Sequence, residues 1–234
     1  VLHYSQEIFE GMKAYKQADD TLALFRPTAN AVRFNASATR MAMPHLPEDM
    51  FVEAVRQLVH IDRDWFPTVE GGSLYLRPFM FATEAFLGVR PATQYKFLVI
   101  ASPAGNYFKS GAPAVSIWIS DYSRAAPGGT GAAKTGGNYA ASLVPTAEAF
   151  AKGHDQVLFL DAVEHKWVEE LGGMNLFFVF DDGTMITPPL TGTILPGITR
   201  DSLLHLAREE GLTVCEELYS IDQWRSDAAS GRLV

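Results

Sequence analysis

The chain has 234 residues, 47% of them hydrophobic and 20% charged, an ordinary globular composition with enough apolar material for a large core. Its 27 acidic and 19 basic residues leave a net charge of −8 with no basic run, which argues against nucleic acid as a partner, and no apolar run approaches the ~18 residues of a membrane span. The single cysteine, Cys215, excludes an internal disulfide and suits a reducing, cytoplasmic compartment, and the six histidines lack the spacing of a zinc site.

In chain order, EIFEGMKAY reads as a strand, Asp19-Asp20 as its turn and TLALFR as the returning strand. Thr28 is expected to cap a helix running to about residue 42, stopped by Pro44. Phe51, Val52, Val55, Leu58, Val59 and Ile61 then recur at helical spacing, and Gly71-Gly72 closes that unit. SLYLRPFMFAT and YKFLVIAS read as strands joined by the loop AFLGVRPAT. The Pro-, Gly- and Ser-rich stretch SPAGNYFKSGAP marks a domain boundary, giving a small N-terminal domain over 1–103, an interdomain loop over 104–112 and a larger domain over 113–234. The second half reads as a strand (AVSIWIS), a Gly-rich loop, a helix over 138–152, a strand (QVLFLDA) and a hairpin of KWVEE with NLFFVF. A turn at Asp181-Asp182-Gly183 follows, then a helix over about 199–210 that stops at Gly211. Strands and helices mix without regular βαβ alternation, which predicts an α+β fold. Both ends read as cut, since Val1 runs into a strand and a further strand reads as beginning near Val234.

The Gly-rich loop GGTGAAKTGGNYAASL sets one lysine, Lys134, among glycines and small residues. A phosphate loop fits its spacing from Gly128 to Lys134-Thr135, but Ala133 replaces the glycine before the lysine. That reading also needs a helix to open at the lysine, and Gly136-Gly137 are poor helix formers. The competing reading is an uncrowded amine that bonds a carbonyl covalently. A solvated surface loop is the bland alternative.

Together with HYSQEIFEGMKAY, LFRP, SLYLRP, VEELGGMNLFF and LPGITRDSLL, which follow in order along nearly the whole chain, AAKTGGNYAASL resembles the branched-chain amino-acid aminotransferases, fold-type IV pyridoxal-phosphate enzymes. The resemblance implies two domains, a small α/β N-terminal one and a larger C-terminal pseudo-barrel one, in a homodimer. It implies pyridoxal 5'-phosphate as cofactor. The activity implied is amino-group exchange between leucine, isoleucine or valine and 2-oxoglutarate, giving branched-chain 2-oxo acids and glutamate.

On the family pattern, Lys134 matches the lysine that forms the Schiff base and shuttles the substrate α-proton. Glu170 matches the carboxylate that pairs with the pyridine nitrogen, and register with Gly172-Gly173-Met174-Asn175 favours it over Glu169; since a strand alternates faces, the bland alternative is that one of this adjacent pair is simply solvated. Tyr139 matches the tyrosine that bonds the phenolic oxygen. Arg33, with Arg40 as second choice, matches the phosphate arginine, and Ile198 and Thr199 open a helix whose free amides favour an anion. Tyr4, Phe9, Tyr75 and Tyr107 match an aromatic pocket, while Leu87 and Val89 match a loop given to the partner subunit. Arg77 matches the cation that receives the glutamate side chain together with the Tyr4 hydroxyl. Gly173 departs from relatives with a hydroxyl residue there, and the family's phosphate-closing turn lies beyond Val234. The same fold also hosts D-amino-acid transaminases and aminodeoxychorismate lyases, which remain alternatives at this point, with a P-loop nucleotide hydrolase as the alternative of another class.

Overall fold

The computed structural model describes residues 1–105 and 114–234, so Tyr107 lies outside the described residues. Contacts divide the chain into two compact units: Val1–Pro113 with Ala133–Gly136, and Ala114–Ala132 with Gly137–Val234.

In the first unit, strands β1 (Glu7–Phe9), β2 (Met12–Lys16) and β3 (Leu22–Leu24) precede helices α1 (Pro27–Arg40) and α2 (Glu48–Ile61), then the long strands β4 (Ser73–Ala82) and β5 (Tyr95–Ala104). β4 is the hub of one antiparallel sheet, with β5 along one edge and β1 and β2 in succession along the other. The expected strand EIFEGMKAY is thus two strands, because the chain breaks at Glu10-Gly11, where Glu10 N–H donates to the Pro78 carbonyl at 2.7 Å. Period-two alternation decides what faces the helices. Ile8, Met12, Ala14, Leu74, Leu76 and Met80 form one core with Phe34, Phe51, Val55 and Val59. Each of these side chains larger than alanine contributes about 1.5–3 kcal/mol on burial. The opposite face carries Glu7, Phe9, Tyr75, Arg77 and Phe79, all half-buried. The start of α1 differs from expectation: Thr28 makes no cap, Arg26 stands at the N-cap in the left-handed region (φ 48°), and Pro27 takes the first helical position, where a missing N–H costs nothing.

The second unit holds β6 (Ile117–Ile119), α3 (Gly136–Ala140), α4 (Leu143–Ala151), β7 (Gln156–Leu160), β8 (Val168–Leu171), β9 (Phe178–Val179), β10 (Thr184–Thr187), α5 (Ile198–Glu209), β11 (Thr213–Glu216) and α6 (Ile221–Ala229), α3 starting on the last residue of the first unit. One sheet runs β6-β7-β8 and another β11-β10-β9. β10 and β11 are parallel with α5 as their crossover.

Two local expectations fail here. The helix expected over 138–152 is two helices, because Pro145, tolerated in the first turn of α4, would meet the carbonyl of Ala141 in a continuous helix. KWVEE and NLFFVF do not pair with each other. β8 pairs with β7 and β9 with β10, each in antiparallel register, after a tight turn in which Leu171 N–H donates to the Met174 carbonyl at 2.9 Å.

Candidate functional site

In the first unit the Lys134 segment is fixed through its backbone. Lys134 N–H donates to Ser37 Oγ at 2.9 Å, and the Lys134 carbonyl accepts from Phe9 N–H at 3.0 Å. Gly136 N–H donates to Glu7 Oε1, which Thr135 also approaches. A Cβ at Gly136 would sit 2.5 Å from that carboxylate oxygen, so this glycine is required by a close approach. The Glu7 carboxyl is pushed up by burial, against the Gly136 and Thr135 hydrogen bonds and the nearby Arg77 charge. This anchoring explains why a helix opens at Gly136 despite its poor propensity: its first N–H has a carboxylate acceptor supplied from β1.

The side chains of Lys134 and Arg77 share one aromatic ring. Lys134 Nζ lies 4.6 Å from the Phe9 centroid and Arg77 Cζ also 4.6 Å. Arg77 Nη2 donates to the Tyr75 hydroxyl at 2.7 Å, while its buried Nε has no hydrogen-bond partner among the described residues. Tyr75 in turn needs Gly11, since any Cβ there would strike its hydroxyl. Phe9, Tyr75, Arg77 and Lys134 therefore come together. Among the described residues Arg77 forms none of the surface ion pairs common to strand arginines. Tyr4 lies in a 3-10 turn, Leu2–Tyr4, and its hydroxyl donates to the Leu87 carbonyl at 3.3 Å. Leu87 and Val89 are each 84% exposed. Arg33 is placed on the helix side of the sheet, where Nε and Nη2 donate to Glu10 at 2.8 and 2.7 Å. Arg40 is exposed at the end of α1.

In the second unit Glu170 and Glu169 are both buried, so the alternative that one of the pair is solvated does not hold. β8 is covered on both faces, and alternation therefore exposes neither. The two carboxylates differ in what they meet. Glu170 forms a buried ion pair with Arg124 Nη2 and accepts from Leu195 N–H at 3.2 Å and from Asn175 Nδ2 at 3.3 Å. Glu169 accepts from the Thr193 hydroxyl through one oxygen, and its other oxygen is buried without a hydrogen-bond partner among the described residues. Burial pushes the Glu169 carboxyl up against that hydrogen bond and the Arg124 charge. Charged ligation thus favours Glu170.

Asn175 also donates to the Leu195 carbonyl at 3.1 Å, and its Oδ1 occupies the space that a Cβ on Gly197 would need. Gly197 caps α5, so Ile198 and Thr199 are the first two residues of that helix, with their amides at its positive end. Tyr139 is half-buried on α3, and its carbonyl accepts from Ser142 Oγ at 2.7 Å. Sequence reasoning missed Arg124, Glu10 and Asn175. The only sequence signal for Arg124 is its place just before the Gly-rich loop, and Glu10 and Asn175 sit inside segments whose other residues drew the assignments.

The nucleotide-loop reading does not survive, because the helix opens two residues after Lys134 and lasts five residues. A family model for amino-transferase class IV matches residues 7–230. The chain belongs to the class IV amino-transferases. It is 60% identical over 235 residues to a probable branched-chain-amino-acid aminotransferase of Streptomyces coelicolor. It is 57% identical over 238 residues to the branched-chain-amino-acid aminotransferase of Mycolicibacterium smegmatis. Both alignments use the whole chain, which spans 65% of the length of each relative. A crystal structure of the branched-chain amino acid aminotransferase from Thermobaculum terrenum in PLP-form superposes with a TM-score of 0.77 at 30% identity, covering 92% of this chain and 68% of that one. This member of the family has the α+β, fold-type IV architecture that its sequence leads one to expect. Among its described residues no cluster of His, Cys, Asp or Glu could hold a metal ion, and no helix is long and apolar enough to cross a membrane.

Proposed function

We propose that this class IV amino-transferase exchanges amino groups between branched-chain L-amino acids and 2-oxoglutarate, with pyridoxal 5'-phosphate as its cofactor. The observation that carries the reading is the Lys134 segment, locked by backbone bonds to Ser37, Phe9 and Glu7, with its amine over the ring that Arg77 also touches. The donor set fits the cofactor's chemistry: an amine for its carbonyl, a buried carboxylate for its ring nitrogen, and an arginine and a helix start for its phosphate. The name of the Thermobaculum terrenum structure, which specifies the PLP-form, supports the same choice.

When bound, the cofactor supplies the electron sink for the electrons left by the substrate α-proton. Lys134 Nζ would hold the cofactor through its carbonyl carbon and, once the substrate amine has taken over that bond, the freed amine would move that proton as general base and acid. Glu170 receives the ring nitrogen and Tyr139 the phenolic oxygen. Arg33, anchored by Glu10, and the amides of Ile198 and Thr199 receive the phosphate. Phe9 and Tyr75, with Tyr4 and Tyr107, give the apolar wall for Leu, Ile and Val side chains. Arg77 receives the second carboxylate of glutamate. A homodimer in which Leu87 and Val89 meet the partner subunit, in the cytoplasm, completes the reading, and the 84% exposure of both residues supports it.

The test uses the full-length protein loaded with pyridoxal 5'-phosphate and treated with borohydride. Peptide mass analysis is expected to place the reduced cofactor on Lys134, and L-leucine with 2-oxoglutarate to give L-glutamate. Turnover of D-amino acids alone, or of aminodeoxychorismate, would keep the fold and overturn the substrate. Label on any other residue would overturn the assignment of Lys134.

A further inference from the structure

Arg124 stands just before the Gly-rich loop and is 7% exposed. Its Nη2 donates to the Thr193 carbonyl at 2.6 Å and to the Gly131 carbonyl at 3.2 Å, and it forms the ion pair with Glu170 Oε1. The Glu170 side chain is 5% exposed and that of Arg124 4%, so neither charge is compensated by water. Arg124 and the Leu195 amide on Oε1 and Asn175 on Oε2 therefore hold the two Glu170 oxygens. The same group holds the 193–197 segment from several sides, through Thr193, Leu195 and Gly197. Gly131 packs so tightly on Thr193 that a Cβ would strike the Thr193 carbonyl, which brings the Gly-rich loop against the same segment.

We propose that Arg124 is a positioning residue: it holds the Glu170 carboxylate as a fixed anion and ties it to the Gly-rich loop and to the segment that starts α5. A buried carboxylate without a cation would lose its charge or its orientation. With Arg124 in place, Glu170 meets an incoming ring nitrogen in one geometry, and the α5 amides are registered to it by the same hydrogen bonds. Glu169, adjacent in sequence, accepts from a hydroxyl and feels the Arg124 charge only at a distance, so the direct ion pair of this buried guanidinium goes to Glu170.

This inference rests on the proposed use of pyridoxal 5'-phosphate. The measurement is the affinity of the full-length protein for pyridoxal 5'-phosphate, with the pH dependence of the bound cofactor's visible band, in wild type, R124K, R124Q, E170Q and the R124Q/E170Q double variant. R124Q is expected to lose about tenfold or more in affinity and to move the pH dependence, while R124K recovers most of both. The double variant is expected to bind no more weakly than E170Q alone, because Arg124 acts through Glu170. Should R124Q fail to fold, R124K and the double variant, which removes both members of the buried ion pair, still decide the question. Wild-type affinity and band in a folded R124Q, or losses that multiply in the double variant, would overturn the role of Arg124. If wild type itself fails to bind pyridoxal 5'-phosphate, it is the functional reading that fails.

Discussion

Glu10 has no exposed surface, yet it carries a charge held by two residues of α1: Arg33 through a two-point contact and Asn30 Nδ2 at 2.8 Å. Such a pair adds little over well-packed apolar side chains, but removing one member leaves an uncompensated ion in the core. Arg33→Ala is therefore expected to lower stability by about 3–5 kcal/mol. Arg33→Ala combined with Glu10→Ala should cost clearly less than the two single changes added together. Urea unfolding of the cofactor-free protein reads both, and strict additivity would mean that the pair is not coupled. The cofactor-free state matters because Arg33 is also assigned to the phosphate, and a melt in its presence would mix the two roles. Arg33 was legible as a candidate only through the resemblance of its segment to the family pattern. That its guanidinium is anchored by the glutamate of FEG was not, because the contact joins residues 23 positions apart.

At the scale of elements, most strands and the longer helices could be read, but not which strand pairs with which, and β10, β11 and α6 were not assigned. α2 and the alternating strands β4 and β5 follow from their apolar spacing, since ten or more residues repeat one pattern. The pairing of β8 and β9 depends on which distant strand offers an edge, and a four-residue strand buried on both faces has no alternation to read. α6 escaped notice although Ser220 and Gln223 form a reciprocal capping box and Asp222 lies in its first turn. The start of α5 is set by packing as much as by sequence. Gly197 has an ordinary negative φ of −70°, so it is the Asn175 side chain, not the backbone, that demands a glycine. Gly197→Ala is expected to cost about 1–3 kcal/mol and to weaken cofactor binding by displacing Asn175 from Glu170. Adding Asn175→Ala should then cause little further loss of stability, because the clash is gone. Thermal melts with a cofactor titration would show this, and two independent losses would contradict it.

The loop between β7 and β8 is built on a single carboxylate. Asp161 accepts from the backbone N–H groups of Val163, Glu164, Lys166 and Trp167 at 3.1, 2.7, 2.8 and 2.8 Å. Burial pushes its carboxyl up, but those four donors outweigh it and hold it at about 2. A folded-state value below the usual 3.8 gives stability that is complete above that pH and lost as pH falls through 3.8 toward 2. Discounted for solvent screening, Asp161→Ala should cost about 1 kcal/mol at neutral pH and nothing in strong acid. Urea midpoints at the two conditions check it, and an equal loss at both would show that the carboxylate's charge is not what shapes the loop.

For the whole molecule, pH acts in opposite directions on different carboxylates, and each unit carries one that opposes the rest. Glu7 in the first unit and Glu169 in the second are both pushed above the usual 4.5 by burial, whereas Asp161 and Glu84 are held at about 2. For Glu84 the Arg90 guanidinium and the Thr93 amide are responsible. A carboxyl with a raised folded-state value binds more protons folded than unfolded, so stability falls as pH rises through its titration. The lowered groups act in acid with the opposite sign. Stability should therefore peak in the mildly acidic range, fall steeply below about pH 4 and fall gently toward neutrality. Glu169 supplies a specific check, because its second oxygen is buried without a hydrogen bond among the described residues and a glutamine amide avoids the cost of its charge. Glu169→Gln is expected to raise the neutral-pH melting temperature of the cofactor-free protein while changing the acidic one little, which flattens the decline. Glu7→Gln should flatten it less, since Glu7 already has the Gly136 amide and the Arg77 charge to offset its burial. Melting curves across that pH range in both variants would decide the matter: a decline toward neutrality as steep in Glu169→Gln as in wild type would show that Glu169 is not the group whose ionisation weakens the fold.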